Sequence, residues 1–461
     1  MTTDFDTVAP AGEVEFRQAI HEMAETISTE YNTRDDWQKS NLWQRLCTPE
    51  RVIEFRVVWT DRNGSPQVNR GYRVQMNGAL GPYKGGLRFH PTVNRSILKF
   101  LAFEQVFKNA LTGLPLGGGK GGADFDPKGK TDLEIMNFCR AFMDGLWREL
   151  GPARDVPAGD IGVGGREIGY LFGRYRELAQ SHDGTITGKA RVYGGSDLRP
   201  QATGYGVVFF LKAMLAHAGT ACSEDGIVPA SSPGTSGPWE IHNRRVLISG
   251  SGQVALYAAE QCLKQGMQVV SLSDSGGTLS LPDGLSDELL QNLIPFKLKE
   301  HGRLQAFAAA NNLQFLPGKK PWGLMADTAL PCATQNEVLL CDADQLIGGG
   351  VKVVVEGANM PCESAAIARL RSAGVLFAPG KAANAGGVAT SGFEMAQNAQ
   401  HLFWSPAEVE RRLHETMENI HKTCVDFSLH QTRDEKNVNY VEGANRAAFH
   451  KVAEAVLAQG Y

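Results

Sequence analysis

No block of lysine and arginine runs through this chain, and its 461 residues carry a formal net charge of −4. That disfavours nucleic acid or a membrane surface as a partner, because phosphate binding draws on clustered positive charge. No apolar run approaches the roughly 20 residues that a bilayer-spanning helix needs. The opening MTTDFDTVAPAGEVEF has neither a basic region nor an apolar segment, so no secretory signal is expected. The eight cysteines are scattered without a CxxC pair, which reads as buried or free thiols in a reducing, cytoplasmic setting. Eleven histidines show no HExxH or paired spacing, so no metal site is expected. A GxSxG elbow is missing as well, which weakens a hydrolase reading. What remains is an ordinary globular composition in a chain long enough for two domains.

The first fifty residues read as polar helix, with Phe16, Ile20, Met23 and Ile27 on one face. RVIEFRVVWT alternates apolar and polar residues, DRNG supplies a turn, and QVNRGYRVQMN resumes the alternation. That pattern predicts a hairpin or two neighbouring strands. Residues 131–150 and 166–180 read as helices, and the first unit is expected to end near Arg199-Pro200. An apolar helix, ATGYGVVFFLKAMLAHA, opens the second unit. Residues 219–241 are rich in Gly, Ser and Pro and read as an exposed loop or insertion. Strands and helices then alternate through RRVLISG, MQVVSLSD, MADTALPCA, VKVVVEGAN and GVLFAPG, with only a helical stretch expected between the second and third. Such alternation is the mark of a doubly wound parallel sheet. The expected fold is α/β with two domains, 1–200 and 201–429. The last helix, about 430–461, is expected to pack back on the first domain to bury its apolar face.

Lys84, Lys108 and Lys120 stand in one glycine-rich region, in GPYKGGLRF, EQVFKNAL and GLPLGGGKGGADFDP. Glycine offers no side-chain contact and costs backbone entropy, so it belongs where backbone must come close to something. Three lysines in that setting point to a pocket for a small, multiply charged anion. Burial and cationic neighbours can bring a lysine from ~10.4 toward ~7–8, where its neutral amine does chemistry. Asp160, in DVPAGDIGVGGRE, is a candidate proton relay; a turn aspartate or a cap for the helix beginning near Arg166 explains it equally well.

RRVLISG-SGQVA puts Gly250-x-Gly252-x-x-Ala255 directly after a strand and into a helix. The first glycine permits the turn and the second admits a pyrophosphate, while a small third residue allows close helix–strand contact. The phosphates would rest on the helix N-terminus. Asp274 ends the next strand, where a carboxylate commonly accepts from a free ribose 2′-hydroxyl and favours NAD. Ser275 follows it, and Lys297 lies where it could neutralise a 2′-phosphate or simply be solvated. On these residues the choice between NAD and NADP stays open. A redox cofactor together with an anion pocket implies hydride transfer to or from a small anionic substrate.

At this point the chain resembles the hexameric glutamate dehydrogenases, above all the NADP-dependent enzymes of bacteria and fungi. The matching segments are GPYKGGLRFHP, FKNALTGLPLGGGKGGADFDPKGK, DVPAGDIGVGGREIGYLFG, YGGSDLRPQATGYG, ISGSGQVA, LPCATQNE, VEGANMP and APGKAANAGGVATSGFEMAQN, spread from about residue 51 onward. The resemblance implies a substrate and oligomerisation domain followed by a Rossmann-like NADP-binding domain, with a cleft that closes for hydride transfer. It implies a cytoplasmic homohexamer that interconverts 2-oxoglutarate and ammonia with L-glutamate, using NADP(H). Lys84 with Ser391 would hold the side-chain carboxylate, beside Gly85, and Gln105 with Lys108 the α-carboxylate. Lys120 would be the catalytic lysine and Asp160 the proton-transfer carboxylate, with Thr187 and Arg199 lining or supporting the cleft. Thr203, Ser251, Gly252, Gln253, Val254, Asp274, Ala333 and Thr334 would line the cofactor. Ser275 and Lys297 match positions that contact the 2′-phosphate, which tips the choice to NADP. Asn359 and Asn384 match asparagines that face cofactor or substrate. Three departures from the family pattern stand out: Gln253, Gln201 and Asp197. Relatives acting on leucine, valine or phenylalanine lack a lysine for a second carboxylate, so Lys84 argues against them. A non-catalytic dinucleotide-binding oligomer is disfavoured by the intact Lys120 and Asp160.

Overall fold

The computed structural model describes residue 10 and residues 12–223, 239–432 and 438–460. Most of the segment read as an insertion, residues 224–238, lies outside the described residues. The chain forms two compact units: residues 1–199, 388–410 and 445–461 make the first, and 200–387 with 411–444 the second.

The first unit is built on a five-stranded sheet of order β1-β2-β4-β3-β5. Its strands are β1 (Arg51–Thr60), β2 (Pro66–Asn77), β3 (Tyr83–Phe89), β4 (Gly117–Ala123) and β5 (Asp155–Gly159). The hairpin expected from the alternation is present, with β1 antiparallel to β2 and Val57 opposite Asn69. β4 pairs antiparallel with β2 and parallel with β3. Its sequence, GGGKGGA, has almost no β propensity, yet all seven of its residues are buried. Glycine is required because neighbours leave no space: a Cβ at Gly118 would come within 2.6 Å of the Val106 backbone, and one at Gly85 would overlap the Gly119 carbonyl. The helix Arg95–Leu111 therefore lies directly on this strand. Helix Asp132–Leu146 falls within its expected span and Gly165–Ala179 matches its own to within one residue, and they pack an aromatic core of Trp59, Phe89, Phe125, Phe138 and Phe142. The helix Val14–Tyr31 buries the predicted face, Phe16, Ile20, Met23 and Ile27.

The second unit carries a seven-stranded sheet, β12-β11-β10-β6-β7-β8-β9. These are β6 (Arg245–Ile248), β7 (Gln268–Asp274), β8 (Gly277–Ser280), β9 (Gln314–Pro317), β10 (Thr328–Leu330), β11 (Val353–Val355) and β12 (Leu376–Ala378). From β12 to β7 every pairing is parallel, in keeping with a doubly wound sheet. β8 and β9 extend it as antiparallel strands. The sequence reading expects only helix in that stretch; GTLS and QFLP are too short to show a period.

The chain also passes between units more often than a single division near residue 200 implies. Residues 388–410 cluster with the first unit, because Gly392 packs on Leu114 and Leu116 and Glu394 pairs with Lys189. The last helix, Tyr440–Ala458, belongs to the first unit only from Asn445 on. There Arg446 reaches Glu30 at 2.7 Å and Asn445 donates to Thr26 at 3.0 Å.

Candidate active site

In the first unit, sheet register brings the lysines together. Lys84 stands opposite Gly118 in the parallel β3–β4 pair, so it shares a face with Lys120 two residues on. The Arg95–Leu111 helix lies against Gly118 and adds Gln105 and Lys108. Asn109 fixes that helix to the sheet by donating to the carbonyls of Lys84 at 3.1 Å and Gly117 at 2.6 Å. Beneath, Arg73 and Asp155 form a wholly buried pair, and Arg73 also donates to the Gly85 carbonyl at 3.0 Å.

Lys84 is 1% exposed and donates to the Val156 carbonyl at 3.0 Å. Burial, with help from Arg199 and Arg73, drives its pKa well below the ordinary value. Burial, then Lys120, lowers Lys108 to about 8. Lys120 is also lowered, chiefly by burial, although Asp160 pulls the other way. Lys120 Nζ lies 3.1 Å from Asp160 Oδ2, and Arg88 Nε donates to that same oxygen at 2.7 Å. Burial alone would raise the Asp160 carboxyl; Lys120 and Arg88 instead bring it down to about 2. Arg199 donates to Ser391 Oγ at 3.1 Å. The Thr187 hydroxyl is buried and has no protein partner among the described residues. Glu394 accepts from the backbone N–H of Gly188 at 2.9 Å and pairs with buried Lys189 at 3.0 Å, which fixes the Thr187 segment.

Lys84, Gly85, Gln105, Lys108, Lys120, Asp160, Thr187, Arg199 and Ser391 thus all belong to the first unit. Sequence reasoning missed Arg88, Asn109 and Glu394. A signal for Arg88 existed, since it stands four residues from Lys84 on one strand and so on the same face. The departure at Asp197 has a local cause, an ion pair with Arg191.

The second unit supplies the dinucleotide turn. Gly250 has φ +84°, and a Cβ there would meet the Cys332 carbonyl at 3.0 Å. Gly252 caps the helix Gln253–Lys264, with nothing within 4 Å of where its Cβ would be. That is the open approach a pyrophosphate needs at a helix N-terminus. Ala255 is fully buried, as close helix–strand packing requires. Ser251 is buried, Gln253 exposed and Val254 half-buried at the mouth; Thr203 is half-buried on the helix Ala202–Ser223. Ala333 and Thr334 are exposed in the loop after β10, whose Ala333 N–H donates to Glu337 at 2.9 Å.

Both oxygens of Asp274 are engaged by the protein. Gly276 N–H donates to Oδ1 at 2.8 Å, Leu304 N–H to Oδ2 at 2.9 Å, and Lys297 Nζ lies 3.5 Å from Oδ2. Beside it Arg303, unrecognised in the sequence, donates to Ser275 Oγ at 2.7 Å. A lysine, an arginine and a serine around a satisfied carboxylate suit an added phosphate better than a bare hydroxyl. Asn384 is 3% exposed and its Nδ2 donates to Asn359 Oδ1 at 2.9 Å, while its own Oδ1 is buried without a protein partner among the described residues. An open helix N-terminus, a cationic corner and an orphaned acceptor fit a phosphorylated dinucleotide. Among the described residues no cluster could hold a metal ion, and no helix is long and apolar enough to cross a membrane.

A lysine pocket on one unit and a dinucleotide turn on the other are the features of an amino-acid oxidoreductase. Residues 194–460 match the Glutamate/Leucine/Phenylalanine/Valine dehydrogenase family, and residues 49–177 match the Glu/Leu/Phe/Val dehydrogenase dimerisation domain. The chain belongs to this family. Among its relatives, the NAD(P)-specific glutamate dehydrogenase of Xylanibacter ruminicola is 50% identical over 97% of this chain and 96% of that protein. The NADP-specific glutamate dehydrogenase of Salmonella typhimurium is 51% identical over 97% of this chain and 95% of that protein. The crystal structure of Plasmodium falciparum glutamate dehydrogenase superimposes with a TM-score of 0.90 at 46% identity, covering 97% of this chain and 91% of that one.

Proposed function

We propose that this chain is an NADP-dependent glutamate dehydrogenase. It catalyses the reversible reaction of 2-oxoglutarate, ammonium, NADPH and a proton to L-glutamate, NADP⁺ and water. The observation that carries the substrate choice is the buried Lys84 beside Arg199 and Ser391. An apolar substrate would leave the Lys84 amine and the Arg199 guanidinium desolvated with no ligand carboxylate to pair with, which is costly. A side-chain carboxylate restores the charged form of Lys84 on arrival. Gln105 and Lys108 take the α-carboxylate, and Thr187 offers its unpartnered hydroxyl.

Lys120, desolvated and held 3.1 Å from Asp160, stabilises the carbinolamine formed when ammonia adds to the oxo carbon, and helps water depart. Asp160 relays one proton at a time to and from the substrate nitrogen through Oδ1, since Oδ2 carries Lys120 and Arg88. NADPH, when bound, supplies the hydride that reduces the substrate carbon. Ser251, Gly252, Gln253 and Val254 would hold its pyrophosphate, Ser275, Lys297 and Arg303 its 2′-phosphate, and Thr203, Ala333, Thr334, Asn359 and Asn384 its remaining polar groups. A homohexamer in the cytoplasm belongs to the same reading, supported by the matched dimerisation domain and by cysteines that, among the described residues, are free and, Cys341 apart, buried.

The test is the initial rate of 2-oxoglutarate- and ammonia-dependent oxidation of NADPH and of NADH at matched concentrations. Strong preference for NADPH is expected, and Lys297→Ala should reduce it about tenfold, the value of one charge-assisted contact. Turnover confined to branched-chain or aromatic 2-oxo acids would sink the substrate reading.

A further inference from the structure

Glu356, just past the end of β11, is a carboxylate 3% exposed and, among the described residues, without an ion-pair partner within salt-bridge distance. Its Oε2 accepts the Gly380 N–H at 2.7 Å and its Oε1 the Cys362 N–H at 3.2 Å. Gly380 opens the helix Gly380–Ala383 after β12, while Cys362 closes the turn after β11. One side chain thus ties together two loops at the carboxyl ends of parallel strands, where open α/β sheets bind their ligands. Asn384 lies just beyond the same helix and completes the tie, donating to the carbonyls of Gly357 at 3.2 Å and Ala358 at 3.0 Å. Those bonds consume its Nδ2 and leave Oδ1 buried without a protein donor among the described residues. A buried carboxylate is expensive unless its hydrogen bonds repay the desolvation, and an apolar replacement would strand two backbone N–H groups.

We infer that Glu356 is a positioning residue of the cofactor site: it holds the two loops so that Asn384 presents its oxygen to a donor on the bound dinucleotide, a ribose hydroxyl or the carboxamide N–H. This rests on the reading of the second unit as the NADPH-binding unit. The anion accepts both N–H groups, whereas the neutral acid must turn its hydroxyl away and releases one. Burial raises the Glu356 carboxyl to about 7, against the two backbone bonds, the Cys362 thiol and the charge of Lys381. Glu337 acts on Cys362 from the loop after β10 and Asp342 from the helix Leu340–Gly348. The tie is therefore complete above neutral pH and loosens below it.

The experiment is fluorescence titration of the full-length protein with NADPH between pH 6 and 8.5, for the wild type, Glu356→Gln, Asn384→Ala and the double variant. Glu356→Gln imitates the acid at every pH. It is expected to weaken NADPH about tenfold at pH 8.5 and to lack the wild type's loss of affinity as pH falls through neutrality. The 2′-phosphate titrates in both proteins, so the difference between profiles isolates Glu356. The double variant is expected to bind within about twofold of Asn384→Ala, because both changes act through one oxygen. Equal affinity and equal pH dependence for Glu356→Gln and wild type, or multiplicative losses in the double variant, would overturn the inference. If Glu356→Gln does not fold, Lys381→Met serves: removing the cation should move the wild-type transition to higher pH, and an unmoved transition overturns it equally. A wild type that binds no NADPH at all overturns the cofactor reading and this inference together, whereas a binding wild type with an indifferent Glu356 overturns only the latter.

Discussion

The two sites use burial in opposite ways. In the first unit, burial lowers the pKa values of the amines of Lys84, Lys108 and Lys120 and so favours their neutral forms. In the second, Glu337 and Glu356 are carboxylates raised by burial, and each staples a loop through backbone N–H groups. The first site therefore acts through its side chains and the second mainly through its backbone. Side chains that contact a ligand should fail abruptly when changed; staples should fail by degrees, through affinity and pH.

The sharpest break is at the reacting pair. Lys120→Ala or Asp160→Asn should lower kcat by about a thousandfold, within the range for general acid–base groups, with NADPH affinity unchanged in a binding titration. Equal loss of cofactor binding would erase the contrast between the sites. Lys84→Leu should reduce kcat/KM for 2-oxoglutarate by about ten- to a hundredfold, the value of a hydrogen bond to a charged group, and improve apolar 2-oxo acids. Unchanged glutamate kinetics would mean that Lys84 touches no substrate. Arg88→Met removes one of the two cations on Asp160 and a repulsive neighbour of Lys120. Both groups then rise in pKa, so both limbs of the kcat/KM profile should move to higher pH, with kcat falling about tenfold at neutral pH. A shift of one limb alone would separate two groups that the structure couples.

The smallest effect concerns neither ligand. His421 of the second unit is buried and hydrogen-bonded to Tyr440 at 3.0 Å, and burial lowers its pKa to about 3. The unfolded chain binds this proton at a higher pH than the folded one. The neutral form therefore costs nothing above the ordinary histidine range, and stability falls as pH drops from there toward about 3. Thermal melts of His421→Gln should show a shallower acid slope than the wild type, and an unchanged slope would assign the acid sensitivity elsewhere.

The contrast also explains what could be read in advance. Lys84, Lys120 and the Gly250–Gly252 turn announce themselves, because charge among glycines has few structural uses and a strand–turn–helix junction is local. Asp160 reads equally well as an ordinary turn aspartate in the sequence, and only its 3.1 Å contact with Lys120 sets it apart. Glu356, Glu394 and Asn109 gave no signal: each acts on backbone brought near by the tertiary fold, as far as 206 residues away for the bond from Gly188 to Glu394. Likewise β8 and β9 have four residues each and are defined by their partners. Residues 388–410 read as part of the dinucleotide unit because the sequence shows their helical period but not which core receives it.

The glycine strand β4 has a consequence for the order of assembly. A chain of glycines around one lysine has little apolar surface to drive collapse and a large backbone entropy to lose. It makes a poor nucleus, and its place between β2 and β3 depends on the Arg95–Leu111 helix that packs on it. Its pairing with β2 spans some fifty residues of chain, from Val74 to Lys120, the kind of distant contact that folds slowly. The amine at the centre of the chemistry is thus held by a strand that relies on its neighbours, and a chain that has not closed this sheet is an inert one.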